Sequence, residues 1–142
     1  MKLDLIDCPA EVFAGSRRPP DIAVSEESAN VIMMLRAPLL LEMKADGQPA
    51  RYWAIGNVDA LRWFMHANAL KRHPARHVYS LVLPAGSVKA EDVEAIDRHL
   101  APLALGELSE RAARRARREL KARGIALLAP DPTRLLRPLT RP

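Results

Sequence analysis

The sequence predicts one α+β domain built around a small mixed sheet. Its 142 residues, 49% hydrophobic and 27% charged, have the length and composition of a single globular domain. Short apolar runs bounded by Gly or Pro alternate with amphipathic stretches of ten residues or more, which indicates strands and helices mixed along the chain. We expect a single domain over 1–142, with an irregular N-terminal segment (1–30), a core (31–129) and a proline-rich tail (130–142).

Six apolar runs predict strands. They are KLDLI (2–6), VIMML (31–35), PLLLEMK (38–44), RYWAI (51–55), HVYSLVLP (77–84) and IALLA (125–129). Asp46 and Gly47 tolerate positive φ and separate the third run from the fourth, which predicts a β-hairpin. Pro38 at the start of the third run predicts a break, a bulge or an edge position.

Three segments have the apolar spacing of helices, namely 58–72, 90–100 and 109–123. Pro74 ends the first, and Gly124 stands where a helix C-terminus favours glycine. The predicted elements therefore follow one another along the chain as a hairpin, a strand–helix–strand unit, a basic C-terminal helix and a last strand. This is a mixed α+β arrangement.

Several classes of protein are excluded by composition. No apolar run approaches the roughly 20 residues that span a bilayer, and Asp4 and Asp7 lie where a signal peptide is basic or apolar. A cytoplasmic protein is expected. Cys8 is the single cysteine, which excludes an internal disulfide and a cysteine-cluster zinc site. Its neighbour Pro9 and the lack of a nearby base favour a structural role. No metal site built on histidine or cysteine is expected, because the four histidines lack metal-binding spacing.

Positive charge is concentrated at one end of the chain. Residues 109–142 hold ten Lys or Arg against three acidic residues, a net charge of +7. The remaining 108 residues carry −2, so the overall +5 belongs to the C-terminal end. Such asymmetry points to a polyanionic partner, either nucleic acid or an acidic membrane surface.

The predicted basic helix has two different sides. At 100° per residue its cations fall within about a third of the circumference, opposite Ala113, Ala116 and Leu120. Arginine suits phosphate because its guanidinium donates in a planar fork. The predicted nucleic-acid-binding residues are Arg111, Arg114, Arg115, Arg118 and Lys121. No aromatic residue lies among them, so base stacking on this helix is not expected.

Two other interpretations of these cations stay open. In the first, the cations form an ordinary solvent-exposed face of the helix and bind no partner. The other is pairing within the chain to an acidic cluster formed by Glu91, Asp92, Glu94 and Asp97.

A second candidate site is the corner between the strand at 51–55 and the helix after it. Gly56 allows a ligand close to the backbone, and Asn57 either caps the helix or adopts a left-handed conformation. A helix N-terminus favours an anion, and Arg62 lies one turn further on. Asp59 favours the helix but repels a phosphate. The predicted phosphate- or nucleotide-binding residues are Gly56, Asn57, Asp59 and Arg62; the alternative is a plain capped turn. Glu42 with Asp59 is a candidate pair for Mg²⁺.

The stretch from 31 to 84 resembles the ParB/sulfiredoxin superfamily. The resemblance is carried by the hairpin around Asp46-Gly47, the strand RYWAIG (51–56), the helix and the strand HVYSLVLP. Gly56 falls at the superfamily's glycine, which implies that the corner holds a nucleotide phosphate. Sulfinic-acid repair is excluded because no cysteine lies there. Asn57-Val58-Asp59 replaces the arginine run of partition proteins.

Within that superfamily, this compact, arginine-rich chain is similar to plasmid fertility-inhibition factors. These block conjugative or T-DNA transfer and are associated with ATPase and DNase activity. The resemblance implies a nucleotide with Mg²⁺ as cofactor, nucleotide hydrolase or nuclease activity, and partners among nucleic acids and secretion or conjugation machinery proteins. The alternative function is a non-enzymatic interaction module whose basic helix docks on an acidic protein or a membrane-side surface.

Overall fold

The computed structural model describes residues 1–8, 19–20, 22–44, 46–70 and 75–127. The chain divides into two compact units, Met1–Asp97 and Arg98–Pro142. The first unit starts with a 3-10 turn at Leu3–Leu5. Its regular elements are β1 (Ile6–Asp7), α1 (Glu26–Leu35), β2 (Leu39–Met43), β3 (Arg51–Gly56), α2 (Val58–Ala69), β4 (Leu81–Leu83) and α3 (Ala90–Ala95). A π-helical segment, Ile96–Leu100, then leads into the second unit, which contains α4 (Ala101–Ala104) and α5 (Glu110–Ala122).

The four strands form one mixed sheet in the order β1-β3-β2-β4. β2 and β3 are antiparallel, whereas β1 runs parallel to β3 and β4 parallel to β2. The predicted α+β class with a small mixed sheet is confirmed, as is the hairpin around Gly47. The β2–β3 register shifts between Leu39 and Leu40, directly after Pro38, where the sequence predicts an irregularity.

The strand predicted at 31–35 is wrong, because these residues belong to α1. Ser25 caps this helix by accepting a hydrogen bond from the Ser28 N–H at 3.1 Å. Glu26 lies in the first turn, where a carboxylate favours the helix dipole. Ala29 and Met33, four residues apart, are buried on one side. The helix therefore starts inside the segment predicted as irregular.

Two other strands are shorter than predicted. In the 2–6 segment, Leu3–Leu5 forms a 3-10 turn and the strand is confined to β1. In the 77–84 segment, only Leu81–Leu83 pairs with β2. His77 instead makes an isolated antiparallel bridge with Lys2, which fixes the start of the chain beside residues 76–78.

Two small clusters of buried side chains form the core of the first unit. Leu40 and Ala54 from the sheet pack with Leu61 of α2. Met33 of α1 packs with Phe64 of α2 and with Val78. The spacing of Leu61 and Phe64 on one side of α2 confirms the helical periodicity predicted for this segment.

The predicted helix at 90–100 is α-helical only as far as Ala95 and then widens into the π-helical segment. Pro102 follows closely and has no N–H to donate to the carbonyl four residues earlier, so regular α-helical bonding is interrupted there. Among the described residues, no helix has both the length and the apolar character needed to cross a membrane.

The last predicted strand, 125–129, is not formed at 125–127. The Ile125 N–H donates to the carbonyl of Leu120 at 3.0 Å, and the Gly124 N–H to that of Lys121 at 3.1 Å. This pair of bonds is a Schellman motif, with Gly124 at a φ of 73°. The backbone after α5 therefore closes the helix instead of extending a sheet. Residues 128–129 and the predicted tail, 130–142, lie outside the described residues.

Candidate polyanion-binding helix and strand–helix corner

The helix α5 carries the densest positive charge of the second unit. Its N-terminus is capped by Ser109, whose hydroxyl accepts from the Ala112 N–H at 3.3 Å. Ala116 and Leu120 are buried, as the predicted docking side requires. The cations on the other sides are all exposed; they are Arg111, Arg114, Arg115, Arg117, Arg118 and Lys121. Arg117, outside the stripe predicted from the sequence, widens it.

Few acidic groups offset these cations within the second unit. The Arg114 guanidinium lies 3.5 Å from the Glu110 carboxylate, and both side chains are exposed. Among the described residues of this unit, it is the one ion pair made by α5. Exposed i,i+4 pairs of this kind are worth about 0.3–0.5 kcal/mol. Within the described part of this unit, the other guanidiniums of the stripe therefore have no acidic partner.

His99 is close enough to α5 to be affected by its charges. Burial lowers the pKa of the His99 imidazole, Glu119 opposes that shift, and Arg123 and Arg98 add to it. The imidazole is therefore mainly neutral at neutral pH and adds no charge to the arginine stripe.

The strand–helix corner of the first unit is tied together by hydrogen bonds within the chain. Asn57 adopts the left-handed conformation, with φ 52° and ψ 37°, and makes no side-chain cap. The nitrogen of its side-chain carboxamide instead donates to the backbone carbonyl of Ala37 at 2.9 Å. Its backbone N–H donates to the Asp97 carboxylate at 3.0 Å.

Asp97 thus supplies the anion at the start of α2. A carboxylate at a helix N-terminus is stabilised by the dipole and by the unpaired N–H groups. A phosphate at the Asn57 N–H would have to displace this carboxylate and would be repelled by it. The arrangement therefore does not fit a phosphate at that amide. No local signal in the sequence pointed to Asp97, which is 40 residues away along the chain.

Gly56 is required by packing between strands. A Cβ at this position would lie 3.0 Å from the Leu39 Cβ and 3.9 Å from the Asp97 Cγ. A distance of 3.0 Å is tighter than nine in ten contacts of real Cβ atoms, so Leu39 would have to shift by a few tenths of an ångström to admit a side chain at Gly56. The glycine allows β2 to approach β3 at the bulge.

The other predicted corner residues are less closely associated. Asp59 is exposed and Arg62 half-buried in the first two turns of α2, and each has an interaction partner. Glu42 is paired in register with Tyr52, four residues before Gly56, which is about 13 Å along a strand. It lies 3.6 Å from the Lys44 ammonium. Glu42 is therefore at the other end of the hairpin from Asp59, and the two are not brought together as a Mg²⁺ pair.

Cys8 has the properties of a structural residue. Burial, with a smaller effect of Asp7, raises the pKa of its thiol to about 11. The thiolate required of a nucleophile is therefore scarce at neutral pH. Among the described residues, no three His, Cys, Asp or Glu side chains form a group that holds a metal ion.

Comparison of the chain with family models, with curated proteins and with solved structures gives no match. The assignment of function therefore depends on the geometry and charge of the chain itself.

Proposed function

We propose that this protein binds nucleic acid by placing the arginine stripe of α5 against the phosphate backbone. The observation that carries the proposal is the exposed stripe itself, which is matched by a single ion pair within the described part of its unit. Guanidiniums bind phosphate oxygens through paired, charge-assisted hydrogen bonds.

The dimensions of α5 suit a run of phosphates. Arg111 and Lys121 are ten residues apart, which is about 15 Å along a helix axis. Duplex DNA carries a negative charge every 1.7 Å or so of its axis, so several phosphates lie within that span. Because no aromatic residue occurs from 109 to 127, the contacts proposed are with the backbone and independent of base sequence.

A salt titration tests this function. Binding of the full chain to a fluorescent 20-base-pair duplex is measured by anisotropy at a series of NaCl concentrations. If the five residues of the predicted stripe each neutralise one phosphate, the plot of log K against log [salt] should have a slope of about −4.5. Vesicles with anionic lipids and an acidic polypeptide serve as competing partners. Binding to either, without binding to the duplex, would support the non-enzymatic docking module instead.

The cellular role we propose is interference with conjugative or T-DNA transfer, as in the fertility-inhibition branch of the ParB/sulfiredoxin superfamily. It is supported by the order hairpin, Gly56, α2 and β4, together with an exposed basic helix. Donor cells that express the chain should transfer a plasmid less often than donor cells without it. Equal transfer frequencies would contradict this role, and they would leave nucleic-acid binding by α5 unaffected.

A further inference from the structure

A cationic cleft in the first unit suggests a second place where phosphate binds. It has a volume of about 560 Å³ and is lined by Lys2, Leu3, Asp4, Asn68, Ala75, Arg76 and His77. This size is in the range of about 300–1,000 Å³ found for small-molecule sites. The described residues that line the cleft all belong to the first unit.

The backbone around the cleft is fixed on both sides. Asn68 is buried, and its carboxamide accepts from the Ala75 N–H at 2.6 Å and donates to the Ala75 carbonyl at 2.8 Å. On the other side, the Leu3 N–H donates to the Arg76 carbonyl at 2.9 Å. Lys2 and His77 face each other in the antiparallel bridge. The cationic side chains therefore extend from a braced backbone.

The charge of the cleft favours an anion. Lys2 and Arg76 are exposed, and neither forms an ion pair with a described residue of this unit. His77 adds a third nitrogen donor. Asp4 is the opposing carboxylate, and its field also acts on Arg51, where it adds a minor part to a pKa raised chiefly by the Asp7 hydrogen bond. The described lining of the cleft therefore contains two permanent cations and one carboxylate.

From this geometry we propose that the cleft binds a phosphate ester, with Lys2 and Arg76 as its direct ligands. Arg76 offers the planar fork that matches phosphate oxygens, and Lys2 offers a mobile point charge. The volume exceeds what a bare ion requires, which favours a nucleotide-sized group. The same chemistry is presented by a free nucleotide and by a nucleotide of a nucleic-acid strand. Among the described residues that line the cleft, Asp4 is the one carboxylate, and no hydrogen bond like that of Asp97 to the Asn57 N–H ties it to the backbone there.

The test is calorimetric titration of the full chain with ATP, ADP, inorganic phosphate and a short single-stranded oligonucleotide at low salt. The double variant Lys2→Gln/Arg76→Gln should bind ATP or the oligonucleotide about tenfold more weakly, or worse. The matched control is Lys44→Gln/Lys89→Gln, which removes the same charge from exposed positions of the same unit outside the cleft. It should remain within about twofold of the wild type.

A variant that is expected to bind more tightly distinguishes a change in ligand contacts from misfolding, because a misfolded protein would not gain affinity. Asp4→Asn removes the carboxylate from the cleft and should tighten ATP binding about two- to fivefold, whereas Glu91→Gln on α3 should not. If the Lys2→Gln/Arg76→Gln variant loses binding to ATP but not to the oligonucleotide, the ligand is a free nucleotide. If it loses binding to the oligonucleotide but not to ATP, the ligand is a nucleic-acid strand. Absence of binding to all four probes, or equal effects of the cleft and control variants, would overturn the proposal.

The proposal for α5 can be refuted independently of the proposal for the cleft. Neutralising the α5 arginines should leave ATP binding to the cleft intact. A duplex salt slope that does not depend on α5 would refute the proposed function without changing the behaviour of the Lys2 and Arg76 variants.

Discussion

Replacing Arg114, Arg115 and Arg118 by glutamine is expected to reduce duplex affinity by two to three orders of magnitude at low salt. The three side chains are exposed neighbours on α5, so each is expected to neutralise a phosphate and release counterions. Loss of three such contacts should make the slope of log K against log [salt] less steep by about 2.7. The anisotropy titration of the wild type and the triple variant measures both quantities.

A charge-matched variant separates local contact from overall charge. Lys44→Gln/Lys89→Gln combined with Arg36→Gln removes three exposed cations from the first unit. It should leave the slope nearly unchanged. Glutamine keeps the helix propensity of α5, so the helical circular dichroism of the triple variant should match that of the wild type. If both variants change the slope equally, α5 is not the binding surface and its arginines form a solvated face.

Substitution of Gly56 by alanine is expected to destabilise the first unit by about 1–3 kcal/mol. The new Cβ would lie 3.0 Å from the Leu39 Cβ, a backbone-attached atom that moves only if β2 shifts. Valine at the same position should cost more than alanine, because it adds two methyl groups to filled space. Chemical denaturation gives the free energies of unfolding.

This prediction distinguishes two roles for the glycine. If Gly56 were needed for close approach of a ligand, alanine would weaken ATP binding and leave the free energy of unfolding unchanged. Gly106→Ala is the comparison, because a Cβ there meets no atom within 4 Å and its cost arises from a φ of 69° alone, about 1 kcal/mol. An unfolding free energy for Gly56→Ala equal to that of the wild type would refute the packing role.

The parts of the fold that could be predicted are those whose signals are local. In α5, the arginine spacing, Ser109 before the helix and Gly124 after it all lie within one short segment, so its boundaries follow from the sequence. The hairpin is equally local, because the Asp46-Gly47 turn joins two apolar strands. A five-residue run such as VIMML fits a strand or a helix, and the Ser25 cap that decides between them lies six residues earlier.

At the strand–helix corner, the backbone turn could be predicted from the sequence but its hydrogen-bond partner could not. The Gly56-Asn57 turn and the helix after it follow from local residue preferences. The partner of the Asn57 N–H does not, because Asp97 comes from a distant segment and looks like one more acid on a solvated helix. A helix terminus in a sequence shows where an anion is favoured. Whether the chain provides that anion itself depends on tertiary structure.

The crowding of arginines on α5 also has a consequence for the helix itself. Arg111 with Arg115, and Arg114 with Arg118, are like-charged i,i+4 neighbours, and each such pair destabilises a helix by roughly 0.2–0.5 kcal/mol. Added salt reduces this self-repulsion while it competes for the phosphates, so ionic strength acts on the free and bound states in opposite directions. A bound polyanion removes the repulsion as well. If the stripe binds a polyanion as proposed, we expect the helix to be most stable in the bound state.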